Sequence, residues 1–187
     1  MGVLFVAGVH GVGKTTICRR VAKETSIPHF TASEIIKDES FEKAFGESML
    51  QKNTNANQEI LIHGVERRLG SVGRKLILDG HFTLLNDSKE IVEISIEFFK
   101  RLSLDAIVVF HDIPHLISLR LKKRDGVHMD ETHIKAHQES ELYHANLIAT
   151  SLQIPIRHLE AFDSQGFTQV LLATWAIVSH SNSSTSP

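Results

Sequence analysis

The stretch Gly8-Val9-His10-Gly11-Val12-Gly13-Lys14-Thr15 decides how the rest of the chain is read. It satisfies the pattern G-x-x-x-x-G-K-[ST], and its flanks have the character that pattern requires. Before it, Val3-Leu4-Phe5-Val6-Ala7 is a short apolar run rich in β-formers, which suits a buried parallel strand. After it, Ile17, Cys18, Val21 and Ala22 recur at helical spacing and leave Arg19, Arg20 and Lys23 for solvent. Between such a strand and helix, glycines let backbone N–H groups turn in on a polyanion, and the helix N-terminus adds its positive dipole end. Gly8, His10, Gly11, Val12, Gly13, Lys14, Thr15 and Thr16 are the expected phosphate contacts. Lys14 would reach the β- and γ-phosphates of ATP, and the Thr15 hydroxyl would take one Mg²⁺ position. The competing reading is a glycine turn that binds nothing.

Mg²⁺ held in this way needs an acidic group from an adjoining strand end. Lys75-Leu76-Ile77-Leu78-Asp79 supplies it, and Asp79 is expected to hold the ion through water. His81 follows directly and could orient a phosphate, a water or Asp79 itself. Further strands are expected at 27–31, 104–111 and 154–159. Helices are expected at 15–24, 33–38, 55–69, 96–102, 114–124, 131–152 and 167–178. Pro114 fits a first helical turn, with Asp112 as its cap. Strands alternating with helices predict an α/β fold, a three-layer sandwich around a central parallel five-stranded sheet. Residues 1–178 read as a single domain, with a flap or acceptor region near 39–57 and a short lid near 124–135. The end, SHSNSSTSP at 179–187, reads as a disordered tail.

Composition sets the bounds around this core. The 187 residues are 42% apolar and 22% charged, close to the globular average. The formal net charge of −2 gives no basic field to draw nucleic acid or an anionic membrane. The single Cys18 excludes an internal disulfide framework. With no run of 18 apolar residues, the chain reads as soluble and cytoplasmic.

The sequence resembles the adenylate-kinase-like nucleoside monophosphate kinases, especially the compact archaeal type. The resemblance runs from about Val3 to Leu172 and is carried by residues 8–16, by Leu78-Asp79-Gly80-His81, and by Asp130 to Gln138 with its His137-Gln138 pair. It implies ATP and Mg²⁺ as cofactors and a small acceptor, a nucleoside monophosphate. The family places two arginines four apart on the helix entering its lid. Arg120 and Arg124 match that spacing, which puts both on one helix face near the transferring group. The further lid arginines of the family have no counterpart in Asp125-Gly126-Val127-His128-Met129-Asp130. The acceptor site is inferred by location, with Thr31, Ser33, Lys37 and His81 as its candidate contacts.

Two other readings stay open on the sequence: an ATP-binding switch or slow ATPase acting through a protein partner, and a kinase for a non-nucleotide metabolite. The chain is too short for a large ring ATPase with its accessory domain, and no N-K-x-D guanine-reading motif is present. His133, His137, Glu141 and His144 share a helical stripe, but no H-E-x-x-H pattern occurs. That helix, polar around Glu139 to Glu141, is expected to be an exposed lid helix. Phe167, Val170, Leu171, Trp175 and Val178 form a core-packing stripe. Arg67 and Arg68 complement a helix C-terminus.

Overall fold

The computed structural model describes residues 2–44, 54–73, 75–86, 88–126 and 128–176. The elements run β1 (Gly2–Ala7), α1 (Lys14–Thr25), β2 (His29–Thr31), α2 (Ala32–Ala44), α3 (Thr54–Ser71), β3 (Lys75–Asp79) and β4 (Thr83–Leu85). They continue as β5 (Ile91–Glu93), α4 (Ile96–Arg101), β6 (Leu104–His111), α5 (Pro114–Asp125), α6 (Glu131–Leu152), β7 (Ile156–Glu160) and α7 (Ser164–Trp175). Among the described residues, five strands pair in parallel in the order β2-β3-β1-β6-β7, the α/β architecture expected from the sequence. Residues 45–53 of the expected flap, Val178 and the expected tail lie outside the described residues.

β1 is buried along its whole length, because a central strand of a parallel sheet is covered on both faces. Leu4 and Val6 point into one core with Ile17, Val21, Phe110, Ile117 and Phe167 from the side of α1, α5 and α7. Val3 and Phe5 point into the other, where Phe5, Phe82 and Phe99 pack edge to face or tilted at centroid distances of 4.7–5.5 Å. Carboxyl ends of parallel strands are the place for a ligand in such a fold. Here β1 and β3 are adjacent, and Val6 stands opposite Asp79.

The helix ends follow local chemistry. Thr31 and Glu34 form a reciprocal capping box at the start of α2: the Glu34 amide donates to Thr31 Oγ1 and the Thr31 amide to Glu34 Oε2, both at 3.1 Å. Asp130 caps α6 and Asp163 caps α7, so α7 begins at Ser164, before the expected 167. Pro114 does occupy the first turn of α5, but Ile113 is the N-cap residue, with no side-chain cap bond. The cap expected at Asp112 is therefore corrected. Its carboxylate takes the Ile113 amide at 2.8 Å and the Arg120 guanidinium instead. The antiparallel pair β4–β5 was not expected from the sequence; its strands have three residues each and carry little periodicity. Arg67 and Arg68 do more than meet a helix dipole, since they pair with Glu39 and Asp38 and tie α3 to α2.

α6 corrects the sequence reading most. In place of an exposed lid helix, it buries Ile134, His137, Glu141, His144, Ala145, Ile148 and Ala149. The histidine stripe is divided among separate partners. His137 Nε2 lies 3.1 Å from Thr83 Oγ1, and His144 Nε2 lies 2.6 Å from the Ile94 carbonyl. Among the described residues no cluster of three or more His, Cys, Asp or Glu could hold a metal ion.

Candidate functional site

A cavity of about 860 Å³ opens at the carboxyl ends of β1, β2 and β3 and reaches from the phosphate-type loop to α2, α3 and α4. That volume suits a small-molecule or cofactor site. Its loop wall is backbone held where a side chain will not fit. Gly8 has φ 136° and a Cβ there would collide with the Phe110 carbonyl. Gly13 has φ 107°, and a Cβ there would lie 2.9 Å from the Phe162 ring. Gly13 is also the N-cap of α1, so the loop delivers its amides at a helix N-terminus.

Lys14 and Asp79 are nearly inaccessible, at 6% and 5% exposure. The lysine amine donates to the Gly8 carbonyl at 2.5 Å and stands 4.0 Å from Asp79 Oδ1. Burial pulls Lys14 below its ordinary value, while Asp79 and Glu141 oppose that pull. The Thr15 hydroxyl donates to Asp79 Oδ2 at 2.5 Å. The two side chains expected to hold Mg²⁺ are thus in direct contact across the loop and β3. This donor set of one hydroxyl and one carboxylate, with room for water, fits a hard cation that keeps part of its hydration shell. His29 Nε2 lies 3.9 Å from the same carboxylate and is buried, and burial lowers its pKa.

His10, Gly11, Gly13, Lys14, Thr15 and Thr16 all line the cavity. Gly8 and Val12 do not. The Gly8 amide donates to Glu141, the Val12 amide to the Val9 carbonyl at 3.3 Å, and the Val12 side chain is core. The His10 and His81 rings meet at a centroid distance of 4.4 Å. Desolvation and the neighbouring His81 and Lys14 charges push His10 down to about 3, and burial likewise lowers His81. The charged form of each imidazole is thereby disfavoured.

Arg120 and Arg124 both reach the cavity wall from α5, as their spacing implied, together with Lys123. They do different things. Arg120 is bonded to Asp112 at its tip, and its guanidinium lies 5.1 Å from the centroid of the Phe162 ring. Phe162 itself lies across Gly13 and is 52% exposed. Sequence reasoning missed it, because a lone aromatic after a strand carries no periodic signal. Arg124 is paired through two 2.7 Å bonds with its neighbour Asp125.

On the far side, Thr31 and Ser33 line the cavity, but the Thr31 hydroxyl serves the capping box and stands 3.1 Å from Ser33 Oγ. Lys37 is exposed on α2 and is not among the lining residues. Asn57, Gln58, Ile36, Leu61 and Phe98 line this side, none of them singled out by the sequence.

Glu141, read from the sequence as part of a histidine stripe on an exposed helix, belongs instead to the buried support of this site. It is 0% exposed, and its carboxylate accepts from the amides of Gly8 at 3.2 Å, Phe82 at 2.9 Å and Thr83 at 2.7 Å, and from the Thr83 hydroxyl. Burial opposes its ionisation, but His81 at 3.7 Å and these donors outweigh burial and hold the carboxyl at about 2. A sequence signal was present, since Glu141 shares a helix face with Ile134, Ala145 and Ile148.

Comparison with known proteins agrees with this geometry. A family model described as "AAA domain" matches residues 7–137, well over half of the chain. The chain belongs to the AAA domain family. No curated protein matches it by sequence. Among solved structures, it is similar to a shikimate kinase from Bacteroides thetaiotaomicron, with 18% identity and a TM-score of 0.55 over 94% of this chain and 99% of that one. It is also similar to a gluconokinase from Sinorhizobium meliloti 1021, with 17% identity and a TM-score of 0.50 over 94% and 91%. At these identities the likeness establishes the fold alone, an α/β sandwich around a central parallel sheet. Among the described residues no helix is long and apolar enough to cross a membrane.

Proposed function

We propose that this member of the AAA domain family transfers the γ-phosphoryl group of Mg·ATP to a small acceptor. The observation that carries this reading is the convergence of Lys14, Thr15 and Asp79 at one end of a cavity whose other end is open for a second molecule. Loop amides and Lys14 bind the phosphates. Thr15 and Asp79 hold Mg²⁺, which when bound neutralises charge on the transferring group. Phe162, backed by Arg120, forms a flat shelf beside Gly13 for the donor base. Arg124 leaves Asp125 to screen the phosphoryl group in flight, with Arg120 behind it.

Within that class we read the acceptor as a nucleoside monophosphate. Ile36, Leu61 and Phe98 offer an apolar slot for a base, Asn57 and Gln58 offer amides for its edge, and Ser33 and His81 lie between slot and loop. Thr31 keeps its capping role, and Lys37 is not part of this site. The same reading places the protein in the cytoplasm, without nucleic-acid or membrane partners. The Arg124–Asp125 pair favours one rival, a slow ATPase or switch in which this arginine stays closed and a protein partner reads the nucleotide state.

A coupled ADP-release assay with nucleoside and deoxynucleoside monophosphates separates these readings, with gluconate and shikimate included as non-nucleotide acceptors. Acceleration by a monophosphate, lost in Lys14→Ala, is the expected result. ADP release that no acceptor accelerates supports the switch, and acceleration by a non-nucleotide alone replaces the acceptor assignment.

A further inference from the structure

The register of β1 and β3 ends at Val6 opposite Asp79, with the Gly80 amide bonded to the Val6 carbonyl at 2.9 Å. Past that point the two chains separate. One becomes the loop that carries Lys14 and Thr15, and the other becomes the segment leading to β4. Glu141, from the middle of α6, occupies the gap. Its Oε1 accepts from Gly8 N and Phe82 N, and its Oε2 from Thr83 N and Thr83 Oγ1. Three buried main-chain donors from the two departing segments therefore end on one carboxylate.

We propose that Glu141 is a positioning residue, a clasp that fixes the loop bearing Lys14 and Thr15 relative to Asp79 and so sets the geometry of the Mg·ATP site. The proposal rests on the phosphotransferase reading. Glu141 is wholly buried and is not among the residues lining the cavity, so it acts through the segments it joins. The side-chain type is specific. Four donors converge on it, and an ionised carboxylate accepts at both oxygens, whereas a glutamine turns its own NH₂ toward two of those donors. The Thr83 hydroxyl donates to Glu141 and therefore accepts from His137 Nε2, which extends the clasp one residue further along α6. Phosphoryl transfer depends on alignment and charge placement, and a displacement of roughly 1 Å costs about 100-fold. Thr15 and Asp79 come from the two segments the clasp joins, so loosening it separates the pair that would share the metal ion. Binding of the bare phosphates depends on the loop alone.

The test uses the full chain and reads the affinity for ATP by calorimetry with and without Mg²⁺, together with backbone amide exchange. In the wild type, the amides of Gly8, Phe82 and Thr83 are expected to be protected and Mg²⁺ to tighten ATP binding. In Glu141→Gln those amides should lose protection, and the gain in affinity due to Mg²⁺ should fall about tenfold or more while metal-free ATP affinity stays within about threefold. Glu139→Gln, an exposed neighbour on the same helix, should match the wild type. A folded Glu141→Gln with the wild-type Mg²⁺ gain overturns the clasp, whatever its melting temperature. If Glu141→Gln does not fold, Thr83→Val decides, since it removes one of the four bonds at constant shape. A reduced Mg²⁺ gain supports the clasp and an unchanged one overturns it. A wild type that binds no Mg·ATP overturns the functional reading and the clasp together, whereas binding that is indifferent to both variants overturns the clasp alone.

Discussion

Removing the Phe162 ring tests the donor side of the site with little damage to the fold. Phe162 is 52% exposed, so Phe162→Ala sacrifices only part of a buried aromatic's contribution, about 1–2 kcal/mol, including a cation–π contact with Arg120 of about 0.5–1 kcal/mol. The ring lies across Gly13, where a base attached to phosphates in the loop would come to rest. Stacking of one base on an aromatic contributes about 1–3 kcal/mol, which is about 5- to 150-fold in affinity. Calorimetry with a non-hydrolysable ATP analogue, and in parallel with inorganic tripolyphosphate, measures the two parts separately. The analogue should lose affinity within that range, while tripolyphosphate, which has no base, should bind as it does to the wild type. Equal losses for both ligands, or no loss for either, would refute the placement of the base.

Further outcomes follow from the same geometry. Asp79→Asn keeps an acceptor for the Thr15 hydroxyl but removes the negative charge, so the protein should fold and turnover should drop at least about 100-fold, as read in the ADP-release assay. Asp125→Asn frees Arg124 from a solvent-exposed pair that contributes little to stability. The maximal rate should then stay level or rise, by no more than about fivefold, with no change in melting temperature beyond a few degrees. Acid should destabilise the protein in two stages. Burial holds the pKa of His137 below 6.5 in the folded state, and His10, His29, His81 and His158 shift the same way. Their unfolded forms therefore take up protons first, and the stability present above pH 6.5 is lost as pH falls. Glu141, lowered from 4.5 to about 2, adds a second loss below about pH 4.5. Melting temperatures measured at pH 7.5, 5.5 and 3.5 should fall in that order, and His137→Gln should flatten the first step. A rise between pH 7.5 and 5.5 would contradict the neutral, buried state of these imidazoles.

Those parts of the molecule whose chemistry is contiguous in the chain were legible in the sequence. The loop from Gly8 to Thr15 and the strand ending at Asp79 each carry their meaning in a few consecutive residues, and they came together as expected. Arg120 and Arg124 were expected at the site from the family resemblance, with helical spacing putting both on one face, and both line the cavity wall. Their different partners were not legible, since Asp112 and Phe162 meet Arg120 only through the packing of α5 against the ends of β6 and β7. Glu141 shows the same limit more sharply. Polar neighbours at Glu139 and Ser140 suggested an exposed face, while its partners lie 58 to 133 residues away in sequence. At Thr31 a local signal went unused: its T-x-x-E capping pattern is readable in the chain, and its hydroxyl bonds Glu34 while the residue lines the cavity.

The most direct measurement is the fate of the γ-phosphoryl group itself. Wild type and Lys14→Ala are incubated with Mg²⁺, γ-labelled ATP and each acceptor in turn, and the labelled products are separated. The expected result is label on a phosphorylated acceptor with the wild type and none with Lys14→Ala, both proteins giving the same far-UV spectrum. Label found only in inorganic phosphate with every acceptor, or transfer that survives Lys14→Ala, would contradict assignment of the chain as a P-loop phosphotransferase.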